Sequence, residues 1–265
     1  MANIEEMYMT MPNVRKKVSD VLRSLCEMIR NKQICEAYEY LDKIGVRAFL
    51  TGELAAYLAE GGERLPFKAR GAKSPANKEG VMRKALYNQQ SLLIGDKKVF
   101  LFYEEASTKK SKQGLGGSVD LLGVDEAGRM YLLELKHSRD KKTSVLETLL
   151  QVLTYRAYFA YPPSREWWKQ VFTSEIEKCG PEDDLRKNAL HKARTTRRRS
   201  FAALAMLQEG MNQLEAEKQK YLRLLDRGTN RLAPREIVGV VSVKEDDCGR
   251  WQGKWVAGCP TSRGW

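Results

Sequence analysis

The chain predicts a mixed α/β fold: a central β-sheet flanked by helices, with a helical segment before it and a helical insertion within it. Three observations carry this prediction. Apolar runs of strand length alternate with amphipathic helical patterns between residues 78 and 163. An apolar strand pattern returns at 236–243, and the stretches before and between these regions combine helical spacing with abundant charge. With 265 residues, 42% of them hydrophobic, the chain can bury one sizeable core.

The elements follow in order. Residues 1–77 form an N-terminal helical segment and linker. Val14, Val18, Val21, Leu22 and Leu25, then Ala37, Tyr38 and Leu41, then Leu50, Leu54 and Leu58 recur at helical spacing, and a Gly/Pro/Lys-rich stretch over 61–77 breaks the pattern. Residues 78–163 form the core. A helix over 79–93 precedes a strand over 98–104, a basic loop over 107–117 and a strand over 118–124. An Asp-Glu-Ala-Gly turn at 125–128 leads to a strand over 129–137. After a second basic loop, 138–143, an amphipathic helix runs over 144–160 and is ended by Tyr161, Pro162 and Pro163. Residues 164–233 are polar, strongly charged and helical in pattern, a basic helical insertion; a separate C-terminal domain is the competing organisation. Residues 234–265 hold the returning strand E-I-V-G-V-V-S-V (236–243) and a Trp- and Gly-rich tail without a firm signal. There is no internal repeat.

Composition narrows the function classes. A net charge of +12 favours a polyanionic partner, nucleic acid first and an anionic membrane surface second. Cys26, Cys35, Cys179, Cys248 and Cys259 are odd in number and scattered, with no C-x-x-C pair, which predicts reduced thiols in a cytoplasmic protein rather than a disulfide frame, zinc site or iron–sulfur cluster. The start M-A-N-I-E-E-M lacks a basic region followed by an apolar stretch, and no uncharged run is long enough to span a bilayer, so no membrane association is expected. His137 and His191 are the only histidines, which disfavours Ser/His and Cys/His hydrolase designs. G-L-G-G at 114–117 fails the dinucleotide pattern, because Val119 stands at the third glycine and a strand follows.

The chemistry concentrates between Gly117 and Tyr155. G-S-V-D ends at Asp120 on one strand, beside an acidic turn. Y-L-L-E-L-K puts Glu134 and Lys136 on one face of the next strand, since side chains repeat every second residue. An antiparallel partner carrying Asp120 could set its carboxylate beside Glu134, an arrangement of like charges that favours a cation between them. Hard oxygen ligands on a rigid strand pair suit Mg²⁺ or Mn²⁺, with the backbone carbonyl of Leu135 as a further donor. Lys136 would orient a water or offset charge in the transition state. On the following helix, Gln151 and Tyr155 are four apart and share a face. Each signal alone has a plain structural explanation: E-x-K is commonly a cross-strand ion pair, Tyr155 could be a core aromatic, and Gln151 a surface amide.

G-S-V-D, E-L-K and Q-V-L-T-Y, in this order on strand, strand and helix, resemble the PD-(D/E)XK nuclease superfamily, specifically its RecB-like branch with G-x-x-D, E-x-K and Q-x-x-x-Y. The resemblance covers about residues 79–160, and the strand at 236–243 if 164–233 is an insertion. It implies a restriction-endonuclease-like core and metal-dependent phosphodiester hydrolysis, with DNA favoured over RNA. By position it makes Asp120 and Glu134 metal ligands, Lys136 the catalytic lysine, and Gln151 and Tyr155 residues that position DNA and the active site. The family's acidic residue on the preceding helix matches Glu79, which could equally be a first-turn acid favoured by the helix dipole. No G-K-[ST] phosphate loop is present, so no ATP-driven motor is implied. A genome-defence, mobile-element or recombination-repair setting follows from the resemblance alone.

Three basic clusters complete the expectation: Lys109, Lys110 and Lys112; Arg139, Lys141 and Lys142; and the stretch from Arg186 to Arg199, which includes Arg194, Arg197, Arg198 and Arg199 and no acid. The first two border the proposed metal strands, as a groove that tracks a phosphate backbone would require. A non-cleaving nucleic-acid-binding protein of the same fold, or an adaptor subunit whose E-L-K is only an ion pair, are the alternatives. Protein partners or a homo-oligomer remain open.

Overall fold

Met82 and Leu86, one turn apart, bury one face of the helix that opens the core, α1 (Lys78–Asn88), with Glu79 in its first turn. The computed structural model describes residues 78–107, 118–138, 145–160, 164–196, 201–211 and 237–258, with isolated positions at 27, 28, 31, 33, 36, 39 and 219. The helices and linker expected over 1–77 otherwise lie outside the described residues.

α1 stops short of the expected residue 93. Gln90 adopts a left-handed φ of 62° and turns the chain into a short strand, β1 (Ser91–Ile94), which alternates between buried Leu92 and Ile94 and exposed Leu93. The Gly95–Asp96 turn, with Gly95 at φ 62°, leads into β2 (Lys97–Ser107). β3 (Ser118–Asp125) and β4 (Met130–Lys136) are joined by a turn in which Asp125 Oδ1 accepts the Ala127 and Arg129 amides at 3.0 and 2.8 Å. Gly128 in this turn has φ 82°, and a Cβ there would stand 2.8 Å from Lys192 Cβ, so glycine lets the hairpin approach the helix packed beneath it.

That helix is α4 (Asp184–Thr195), which follows α2 (Val145–Ala160) and α3 (Ser164–Glu177). Then comes β5 (Phe201–Gln208), and later β6 (Ile237–Glu245) and β7 (Trp251–Ala257). The expectation of a helical insertion over 164–233 is corrected here, because it contains a core strand. F-A-A-L-A-M-L-Q is rich in residues that favour helices, yet β5 lies between parallel neighbours β4 and β6 and is buried from Phe201 to Leu207. A strand covered on both faces reads as a continuous apolar run, so tertiary context overrides propensity. The tail is likewise not featureless: β7 pairs antiparallel with β6.

The sheet runs β1-β2-β3-β4 antiparallel, adds β5 and β6 parallel to β4, and ends in antiparallel β7. β7 then pairs parallel with β1 at Leu93↔Gln252 and Ile94↔Gly253, closing a seven-stranded barrel where a flanked central sheet was expected. Gln89 fastens the seam: its Nε2 donates to the Ser91 and Trp251 carbonyls at 2.8 and 2.9 Å, and its Oε1 accepts the Trp251 amide at 2.6 Å. One core cluster joins Leu101, Leu121, Leu133, Leu135, Leu204 and Val241 to Met82 and Leu86 of α1. α2 covers β4, β5 and β6, and α3 packs on β2 through Phe172 against Phe102. No helix among the described residues is long and apolar enough to cross a membrane.

Candidate active site

Asp120 and Glu134 sit where two strands part. The β3–β4 ladder ends at Leu121↔Leu133, one rung before these two residues would face each other. Val119 and Ser118 stay with β2, while Glu134, Leu135 and Lys136 stay with β5. In this fork the Leu135 amide donates to Asp120 Oδ2 at 2.8 Å, so a side chain replaces the missing rung. Residues Leu122↔Leu132 pair two positions away, which puts Asp120 and Glu134 on one face.

The charges are buried. Asp120, Glu134 and Lys136 are 5%, 4% and 6% exposed, so each must find partners within the protein. Lys136 Nζ donates to Glu134 Oε1 at 3.1 Å and lies 3.6 Å from Glu79 Oε2. From α1, Arg83 Nη1 donates to Asp120 Oδ1 at 3.2 Å and Nε to Glu104 Oε1 at 3.1 Å. Glu79 and Arg83 are four apart, so one helical face supplies both an acid and a base to the cluster. Glu134 Oε2 and Gln151 Oε1 are buried acceptors without a hydrogen-bond partner. Tyr155, one turn after Gln151 on α2, is buried too.

Burial first, and then the neighbouring Asp120, push the Glu134 carboxyl well above its ordinary range. Burial also raises Asp120, against the pull of Lys136, the Leu135 amide and Arg83. Burial works to lower the Lys136 ammonium, but Glu134, Asp120 and Glu79 outweigh it and hold the amine protonated. Burial, followed by Glu134, Asp120 and Glu79, raises the Tyr155 phenol, so the ring oxygen remains a proton donor beside the acids.

These shifts have a consequence for stability. A carboxyl whose pKa is higher folded than unfolded adds stability below its unfolded value and loses it as pH rises through the folded value. The Glu134 contribution to the stability of the metal-free protein should therefore fall as pH climbs above 4.5, the ordinary Glu value, and Glu134→Gln should remove that contribution. Thermal melts in EDTA across neutral pH check this; parallel curves for the two proteins would show that Glu134 is not the titrating group.

Of the expected site residues, the structure brings Glu79, Asp120, Glu134 and Lys136 into one cluster, with Tyr155 facing it electrostatically. Lys109, Lys110, Arg139, Arg197, Arg198 and Arg199 lie outside the described residues. Within the third basic cluster, Arg186 pairs with Glu175 at 3.3 Å, Lys192 donates to the Glu126 carbonyl at 2.8 Å, and Arg194 to Thr173 Oγ1 at 3.4 Å. These three serve the packing of α4. Arg83 and Glu104 are additions that sequence reasoning missed; for Arg83 the four-residue spacing from Glu79 was the available signal, and Glu104 had none.

Among the described residues, no three His, Cys, Asp or Glu side chains form a ready-made metal cage. The carboxylates turn instead to Lys136, Arg83 and the Leu135 amide. The donor set nevertheless suits a hard cation. Glu134 Oε2 is an orphan acceptor, and Asp120 oxygens, with two lone pairs each, retain acceptor capacity. At Leu135 the structure ties the amide, not the carbonyl, to the cluster. No protein-family model, no curated protein and no solved structure matches the chain.

Proposed function

We propose that this protein is a Mg²⁺- or Mn²⁺-dependent nuclease of the PD-(D/E)XK superfamily, RecB-like branch, acting on DNA in preference to RNA in the cytoplasm. The observation that carries the reading is a charge imbalance at the strand fork. Glu79, Glu104, Asp120 and Glu134 supply four carboxylates among the described residues, against two cations, Arg83 and Lys136. Two of these acids, Asp120 and Glu134, converge at the fork, where a cation would relieve their repulsion, and the orphan Glu134 Oε2 marks where an acceptor is unused. The order α1, antiparallel β2-β3-β4, α2, then β5 parallel to β4 supports a restriction-endonuclease-like core, to which β1, β6 and β7 add the barrel closure.

Asp120 and Glu134, with the Leu135 carbonyl, would hold the ion, which supplies charge neutralisation at a phosphate and a more acidic water. The protein's own groups have separate tasks. Lys136 donates to Glu134 Oε1, which fixes that carboxylate, and presents positive charge to a phosphoryl oxygen. Tyr155 remains a hydrogen-bond donor, and Gln151 offers its amide from the same helix face.

Incubating the protein with circular DNA, linear DNA and RNA, each with Mg²⁺, Mn²⁺ or EDTA, tests the reading. Cleavage with metal and none with EDTA is expected; inertness under every condition would favour the non-cleaving nucleic-acid-binding alternative. That second reading has one observation behind it: Arg83 and Lys136 each already touch two acids. Within the nuclease reading, Tyr155→Phe and Gln151→Ala should each lower cleavage about 10-fold or more while Mn²⁺ still binds, because both residues are placed on substrate. Calorimetric titration checks this, and loss of Mn²⁺ binding in Gln151→Ala would instead make its buried Oε1 a ligand.

A further inference from the structure

Arg83 stands on the acid that the proposed metal would need. Its Nη1 reaches Asp120 Oδ1 at 3.2 Å and its Nε reaches Glu104 Oε1 at 3.1 Å, with the three side chains only 15%, 8% and 15% exposed. A guanidinium cannot give up its proton, so a fixed positive charge rests on Asp120. Asp120 Oδ2 is held by the Leu135 amide, which fixes the carboxylate plane and leaves Oδ1 to the cation. One guanidinium thus serves two acids through two different nitrogens, and its hold on one acid depends on the other. Glu104 lies on β2, paired with Leu121 of β3, so its seat is on the strand next to the one that carries Asp120.

We propose that Arg83 is a positioning residue that occupies Asp120 as a resident counter-cation and yields it to a divalent cation, with Glu104 as the seat that retains the guanidinium. The inference rests on the metal-dependent nuclease reading. It makes two substitutions act in opposite directions. Removing the charge of Arg83 removes the competitor at Asp120, so a divalent cation binds more tightly. Removing the charge of Glu104 takes away one seat that draws Arg83 from Asp120 and reduces the local negative field, so the cation binds more weakly.

The experiment is a titration of the whole protein with Mn²⁺ alone, without DNA, followed by calorimetry and by the electron paramagnetic resonance signal of free Mn²⁺. Arg83→Gln should tighten Mn²⁺ binding about fivefold or more and Glu104→Gln should weaken it by a similar factor, the usual range for two coupled ligands. Arg83→Lys, which keeps the charge, should return affinity close to that of the unmodified protein. Thermal melts identify a variant that does not fold, and Glu104→Gln, an isosteric change, keeps the sign test available. A side chain that only braced the fold would shift melting in both variants but would not split Mn²⁺ affinity in two directions. Unchanged or same-direction affinities in a protein that binds Mn²⁺ overturn the role of Arg83 and leave the nuclease reading standing. Absence of Mn²⁺ binding in the unmodified protein overturns both.

Discussion

Glu134→Gln is expected to lower DNA cleavage by at least about 10²-fold, the scale on which one electrostatic group acts in a preorganised site, while the protein stays folded. The substitution keeps the shape and removes the charge, which separates chemistry from packing. Its effect on the fold should be neutral or slightly favourable at neutral pH. Burial and Asp120 already push this carboxyl toward its neutral form, so the amide replaces a group that the folded state holds at a cost. Asp120→Ala should be as damaging to cleavage but less clean, because it also removes the acceptor of the Leu135 amide and of Arg83. Lys136→Ala is the hardest on the fold. It leaves Glu134, Asp120 and Glu79 without their shared cation, and breaking a buried pair in this way costs about 3–5 kcal/mol. Gel assays with Mg²⁺ and Mn²⁺, run beside melts in EDTA, read both effects. Cleavage at a near-normal rate in Glu134→Gln would remove the strand fork as the site of chemistry.

The grouping of Asp120, Glu134 and Lys136 was legible in the sequence because its parts are close along the chain, whereas the parting of the strands there was not. Asp120, Glu134 and Lys136 lie on the two strands of one hairpin, and period-two spacing plus a tight turn fixes which face they share. What the sequence hid depends on distance or on context. β1 continues the leucine spacing of α1, and only the left-handed Gln90 and the bonds from Gln89 to Trp251, 162 residues away, make it a strand. β5 is written in alanine, leucine and methionine, so its local preference is helical until two parallel neighbours enclose it. Arg83 and Glu104 reach the site from a helix and a second strand, 37 and 16 residues away from Asp120, where no short motif could link them. The basic run at 186–199 reads as a phosphate-binding surface, yet three of its described members, Arg186, Lys192 and Arg194, hold α4 against its neighbours. Charge in a sequence does not distinguish these two uses.

A loss of stability as large as that of Lys136→Ala is expected from Trp168→Ala. Trp168 is fully buried on α3, stacked on Phe172 at 5.6 Å and packed against Phe159 and Trp167 at 5.2 and 4.5 Å between ring centres. Its indole Nε1 donates to the Phe159 carbonyl at 3.0 Å, one of the last carbonyls of α2, which has no intrahelical donor to rely on. The substitution therefore opens a cavity in the layer outside the barrel and strips a helix end of its partner. Core Trp→Ala changes cost about 3–5 kcal/mol, a large fraction of the roughly 5–15 kcal/mol that holds a domain folded. Trp168→Phe keeps most of the ring and loses only the donor, so about 1–2 kcal/mol is expected. Urea unfolding monitored by circular dichroism measures both. The effect should reach the site, because Phe159 lies one turn beyond Tyr155 on α2, and loosening that end releases the phenol that faces Glu134. Cleavage by Trp168→Ala should accordingly fall at temperatures where the protein is still folded, with Mn²⁺ binding at Asp120 and Glu134 retained, since the ring packs on Phe159, Trp167 and Phe172 of the helices. A loss below about 1 kcal/mol would show that α3 does not fasten α2 to the barrel.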